Sequence, residues 1–134
     1  MSAWRSYLRK VLEWSQCIEP TQVTALILPD HPQPDKLLNK VIHIVGEKGF
    51  QKWAYLICPC GCKATIMLSL SKTKHPAWAV SFDILQRPTV TPSIWQTSGC
   101  YSHFWVKRGK IEWCANTGKP IRSEKEKRGY STCI

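Results

Sequence analysis

Three cysteines occupy five residues at Cys58, Cys60 and Cys62, with Pro59 and Gly61 between them. Thiols at i and i+2 do not easily reach bridge geometry, and an odd number leaves one unpaired. The spacing therefore points to thiolate ligation of a metal rather than to a disulfide. Zinc holds sulfur at about 2.3 Å in a tetrahedron, which sets ligand sulfurs roughly 3.8 Å apart, whereas i and i+2 side chains on a straight strand stand about 6.6 Å apart. Pro59 fixes φ and Gly61 admits positive φ, so together they let a strand end curl and close that gap. A fourth ligand must come from elsewhere. Cys100 is the first choice, because Gly99 supplies a second tight turn ahead of another strand. His103 and Cys114 are the reserves. Packing as small hydrophobes accounts for Cys17 and Cys133, but it gives no reason to interleave three thiols with proline and glycine.

A second set of residues has the types that nucleophilic hydrolysis needs: a nucleophile, a base within hydrogen-bond reach and an acid to orient the base. Ser93 follows Pro92 in an expected turn, His103 opens a strand, and Asp83 ends one. Ser102 suits the nucleophile role less well, since consecutive strand residues point to opposite faces. Each residue also has an ordinary reading: turn chemistry for Ser93, a turn cap for Asp83, a ligand or structural group for His103. No G-x-S-x-G elbow is present. A hydrolase acting through an open metal is disfavoured, because three or four thiolates close the metal and weaken it as a Lewis acid. The H-x-E and P-C-x-x-C pattern of nucleic-acid deaminases is absent.

A chain of 134 residues that is 43% hydrophobic can bury one core without a disulfide staple. It has no apolar signal region and no run of about 18 uncharged apolar residues, so neither a signal peptide nor a membrane span is expected. The reading is a cytoplasmic chain with no membrane partner, whose seven cysteines stay thiols. The formal charge of +10 makes nucleic acid a secondary candidate partner. However, Lys119, Arg122, Lys125, Lys127 and Arg128 alternate with Glu124 and Glu126 in a polar segment, which reads as a basic solvated tail over 119–134. No nucleic-acid-binding motif accompanies it.

The frame that would position these groups spans residues 1–118 as one domain. Trp4, Leu8, Val11, Leu12 and Ser15 recur at helical spacing, predicting a helix over 3–17 that covers a sheet. Pro20 stops it. The run VTALIL precedes a proline-rich loop, PDHPQPD. VIHIVG, KWAYLIC, ATIMLSL, WAVSFDIL, HFWVKRG and KIEWC then read as short strands, with a hairpin turning at Arg108-Gly109. The fold class is mainly β (α+β): a small antiparallel β domain with a cysteine-rich zinc site and an N-terminal helix. Trp53, Trp78, Trp95, Trp105 and Trp113 crowd the motif-bearing half. Most should be core, whereas Trp95, placed in a loop, is expected at a groove where an extended peptide could lie.

From about Val41 to Cys114 the chain resembles a bacterial domain family. Its members carry a strand ending in CPCGC, an L…L run, a W…FD strand, PS followed by Ile or Val, and GC-x-SHFW or SHYW before G-x-I-x-W. Here these are KWAYLICPCGC, IMLSL, WAVSFDIL and TPSIWQTSGCYSHFWVKRGKIEWC. The chain departs from many members at Lys63, where a glycine often follows the third cysteine. Members are often encoded near bacterial ubiquitin-like conjugation genes, so the resemblance implies a role in handling a ubiquitin-like tail. Two functions follow as expectations. The first is a zinc-containing serine-type peptidase for a ubiquitin-like protein, with Ser93, His103 and Asp83 catalytic, Cys58, Cys60, Cys62 and Cys100 on the metal, and Trp95 on the substrate. The second is a non-catalytic zinc module that binds protein or nucleic acid.

Overall fold

The computed structural model describes residues 3–47, 50–73, 77–96 and 99–118. One α-helix, α1 (Ala3–Trp14), is followed by eight strands. The first sheet orders β1 (Thr24–Leu28), β2 (Val41–Glu47), β3 (Phe50–Ile57) and β4 (Thr65–Ser69) in sequence. The second orders β5 (Ala79–Phe82), β6 (Pro88–Trp95), β7 (His103–Lys107) and β8 (Lys110–Trp113). Side-chain alternation decides how the sheets meet. Ile42, Ile44, Ala54, Leu56, Ile66 and Leu68 of the first sheet share one cluster with Val90, Ile94, Phe104 and Val106 of the second. Each fully buried side chain of this kind contributes about 1.5–3 kcal/mol, so this cluster is the main term holding the two sheets together.

The β-rich class with an N-terminal helix is as expected, and three elements differ from their expectations. The β1–β2 pair is parallel, with Thr24 opposite Val41. A parallel partner needs a crossover of about a dozen residues, and the proline-rich segment 29–40 supplies it. Along that segment Leu37 is buried and Leu38 N–H donates to His43 Nε2 at 3.3 Å.

The second difference is β6, a central strand over PTVTPSIW where a turn at Ser93 and a loop at Trp95 were expected. Two prolines argue against a central strand because each lacks a ladder donor. The chain accommodates Pro92 by shifting register between Val90 and Ile94, and the Thr91–Pro92 bond is cis.

The third is α1, which ends at Trp14 and buries none of its residues, so it does not cover a sheet with its apolar stripe. The hairpin at Arg108-Gly109 forms, with both residues at positive φ (48° and 71°) and Lys107 opposite Lys110. A Cβ on Gly109 would meet Val23 O at 2.8 Å, because Gly109 O receives the N–H groups of both Gln22 and Val23. The tail expected over 119–134, and Cys133 with it, lies outside the described residues.

Candidate active site and thiol centre

The loop joining β3 to β4 is the Cys58–Cys62 knuckle. Cys58 N–H donates to Ala64 O at 2.8 Å, which closes it. Gly61 (φ 97°) and Lys63 (φ 63°) make the left-handed bends that gather the sulfurs. Cys100 arrives from the second sheet, in the turn between β6 and β7, with Gly99 at φ 71°. The four sulfurs lie within 4.8 Å of one another. Cys58 Sγ is 3.4 Å from Cys60 Sγ and 3.6 Å from Cys100 Sγ, and Cys62 Sγ is 3.5 Å from Cys100 Sγ. These separations are close to the roughly 3.8 Å of tetrahedral thiolates, so the group can hold a metal ion.

Ser102 organises its electrostatics. Its hydroxyl lies 3.1 Å from Cys100 Sγ and 3.4 Å from Cys58 Sγ. Burial pushes the Cys58 thiol up to about 12, against the pull of Ser102. The Ser102 hydroxyl draws the more exposed Cys60 thiol down to about 6. One sulfur of the knuckle thus ionises far more readily than its neighbour. Neither reserve ligand joins the group. His103 bonds to other partners, described next, and Cys114 sits just past β8 with its N–H on His103 O at 2.9 Å. Cys114 is disulfide-bonded, which corrects the expectation that every cysteine stays a thiol.

On β6 and β7 the core side chains are Val90, Ile94, Phe104 and Val106. Alternation therefore turns Ser93, Trp95 and His103 to the opposite face of the second sheet. There Ser93 Oγ lies 2.9 Å from His103 Nε2, and His103 Nδ1 lies 2.7 Å from Asn116 Oδ1. An amide oxygen only accepts, so Nδ1 carries the ring proton and Nε2 is left as the acceptor for the serine hydroxyl. Thr117 Oγ1 accepts the His103 N–H at 2.9 Å, so the turn after β8 holds both ring and backbone. Trp95 pairs with His103 across the strands, and their rings stack in parallel with centroids 4.4 Å apart.

Asp83 is not brought to this group. Its carboxylate accepts from Leu85 N–H, Arg87 N–H and Arg87 Nε at 3.0, 2.8 and 2.6 Å, capping the β5–β6 turn, and Asn116 takes the place expected for it. Trp95 is 6% exposed rather than at a groove, and its Nε1–H is buried without a hydrogen-bond partner. Most of the five tryptophans were expected in the core, but only Trp95 is buried, with Trp53, Trp78 and Trp105 half-buried and Trp113 exposed. Ser93 and His103 are themselves 0% exposed, so a substrate reaches them only after the cover over this face opens. Sequence reasoning missed Asn116, and weighed Ser102 only as a nucleophile rather than as a partner of the thiols. Asn116 lies in an ordinary turn sequence, Ala115–Gly118, with nothing to tie it to a histidine 13 positions earlier.

The model of the family described as bacterial ubiquitination-like system serine protease (BubE) matches residues 29–114. The chain belongs to that family. The match takes in the cysteine knuckle, Ser93 and His103, and leaves out α1 and Asn116. No curated protein and no solved structure matches the chain.

Proposed function

We propose that this chain is a serine-type peptidase that processes or removes a ubiquitin-like protein at its C-terminal tail, with Ser93 as nucleophile and His103 as general base. The carrying observation is the Ser93 Oγ to His103 Nε2 distance of 2.9 Å, with the ring held in the accepting tautomer by Asn116. The serine proton passes to Nε2 as Oγ attacks the scissile carbonyl carbon. The imidazolium then gives that proton to the departing amine, and water repeats the sequence on the acyl-enzyme. Asn116 orients the ring without supplying charge, as asparagine does in papain-like sites. In this reading the oxyanion donor is assigned to the Trp95 Nε1–H, which is buried without a hydrogen-bond partner on the ring stacked against His103.

The metal in this reading is zinc, held by Cys58, Cys60, Cys62 and Cys100. Four thiolates leave no open position for substrate, so the ion serves structure. It ties the β3–β4 loop to the segment that runs from Cys100 into His103, three residues away.

The complete burial of Ser93 and His103 favours a second reading, in which the pair is a structural hydrogen bond and the domain only binds its partner. Ser93→Ala and His103→Ala separate the two, assayed on a ubiquitin-like protein carrying a C-terminal fusion. Under the peptidase reading each variant abolishes cleavage with metal content and folding retained, since nucleophile and base act as one unit. Trp95→Phe keeps the stack, removes the donor and should lower kcat about 10²–10³-fold. Cleavage that survives Ser93→Ala rejects the mechanism.

A further inference from the structure

Helix α1 is inside out. Trp4, Tyr7, Leu8, Val11 and Trp14 fall at i, i+3, i+4, i+7 and i+10, which is one stripe of a helix. In a globular domain such a stripe faces the core. Here the five residues are 56, 71, 38, 39 and 86% exposed. The polar face turns inward instead, with Arg9 and Glu13 side chains only 12 and 22% exposed. Glu13 fixes that rotation, because its Oε1 accepts both the N–H of Thr21, at 3.0 Å, and the Thr21 hydroxyl. Turning the stripe inward would break both bonds.

We propose that α1 is a membrane-surface anchor, its apolar stripe lying in the headgroup region of a bilayer that contains anionic lipid. Three observations select this occupant. Three of the five stripe residues are Trp or Tyr, rings with an apolar body and a polar edge that settle at the boundary between lipid and water. Of the helix's cations Lys10 is exposed beside the stripe, on a chain of formal charge +10, which complements anionic headgroups. A second copy of the chain fits less well. The stripe presents roughly 600 Å² on the usual scale of aromatic side-chain areas, short of the about 800 Å² per partner of a stable interface.

The helix lies on the surface and does not cross it. Twelve residues rise about 18 Å against a hydrocarbon core of about 30 Å. No described helix is long and apolar enough to span. The anchor is independent of the peptidase reading, since α1 lies outside the matched region 29–114 and touches neither Ser93 nor the thiol group.

The test is flotation of the full chain with phosphatidylcholine vesicles and with phosphatidylcholine–phosphatidylglycerol vesicles. The chain should float with the anionic vesicles, less with the neutral ones, and less as salt rises. The double variant Trp4→Ser, Trp14→Ser should lower the partition coefficient at least about tenfold, because these two rings carry about half of the stripe's exposed area. Their exposure means that melting temperature and metal content should not change, which keeps a folding defect from imitating the result. Failure of the wild type to float with anionic vesicles overturns the proposal. So does equal flotation of the double variant, which would assign binding to charge alone. A concentration-dependent dimer that Trp14→Ser dissolves would give the stripe to a second copy instead.

Discussion

Asn116→Ala is the sharpest probe of the proposed mechanism, because it leaves Ser93 and His103 in place and that mechanism still predicts loss of cleavage. Asn116 Oδ1 accepts from His103 Nδ1 at 2.7 Å inside a residue that is 0% exposed. Without it the buried Nδ1–H has no partner, which costs about 1–3 kcal/mol of stability. The ring can avoid that penalty by moving its proton to Nε2, and in that tautomer it cannot accept the Ser93 proton. A penalty of about 1–3 kcal/mol corresponds to a roughly 5- to 150-fold shift in favour of the wrong tautomer, so the competent fraction of enzyme falls by about the same factor. Loss of ring orientation adds to this, and the drop in kcat should reach between about 10² and 10⁴ with KM little changed. The assay is cleavage of a ubiquitin-like fusion, read beside a thermal melt.

Asn116→Asp gives the complementary result. A carboxylate on Nδ1 favours the charged ring, and the base works only uncharged, so the acid limb of the kcat/KM profile should move to higher pH. Unchanged kcat in Asn116→Ala, with the expected destabilisation present, would refute the role of His103 as base.

Two further outcomes follow from the thiol centre. With Cys60 drawn down to about 6 and Cys58 pushed up to about 12, apo protein at pH 7.5 already carries one thiolate, so zinc binding should release about three protons or fewer in a weakly buffered titration. Release of four would show that Ser102 does not stabilise the Cys60 thiolate. Lys63 holds φ at 63°, where a side chain is strained by about 1 kcal/mol, so Lys63→Gly should leave the melting temperature of the metal-loaded protein unchanged or slightly raised. A fall of several degrees would mean that the lysine side chain contributes to the knuckle.

The parts of the molecule legible in the sequence were those governed by local rules. Alternating runs gave β2, β3, β4, β5, β7 and β8, and the Gly61 and Gly99 turns marked the two loops that bring four sulfurs within 4.8 Å. Strand β6 was hidden because Pro88 and Pro92 are breakers by local rule; Pro88 falls at the strand's first residue, and the register shift against β7 makes room for Pro92. The same error put Trp95 in a loop, when strand pairing lays it on His103. Asn116 was hidden for another reason. Its contact with His103 depends on a turn folding back after β8, and no spacing rule encodes that approach.

Asp83 and Asn116 also show why residue type alone misassigns an orienting group. An aspartate was the natural choice for the far ring nitrogen, yet Asp83 is held by Arg87 and two backbone donors of its own turn. Moving it to His103 would leave Arg87 unpaired, although Arg87 is only 18% exposed, and would open the turn that enters β6. An asparagine avoids that conflict. It brings no charge into a face where Ser93 and His103 have no solvent contact, so it adds no desolvation penalty for a second ion. The consequence is a histidine oriented by a neutral partner inside a face closed to solvent. On the proposed mechanism, proton transfer should then await substrate, whose arrival must open the cover and supply the polar surroundings that the resting pair lacks.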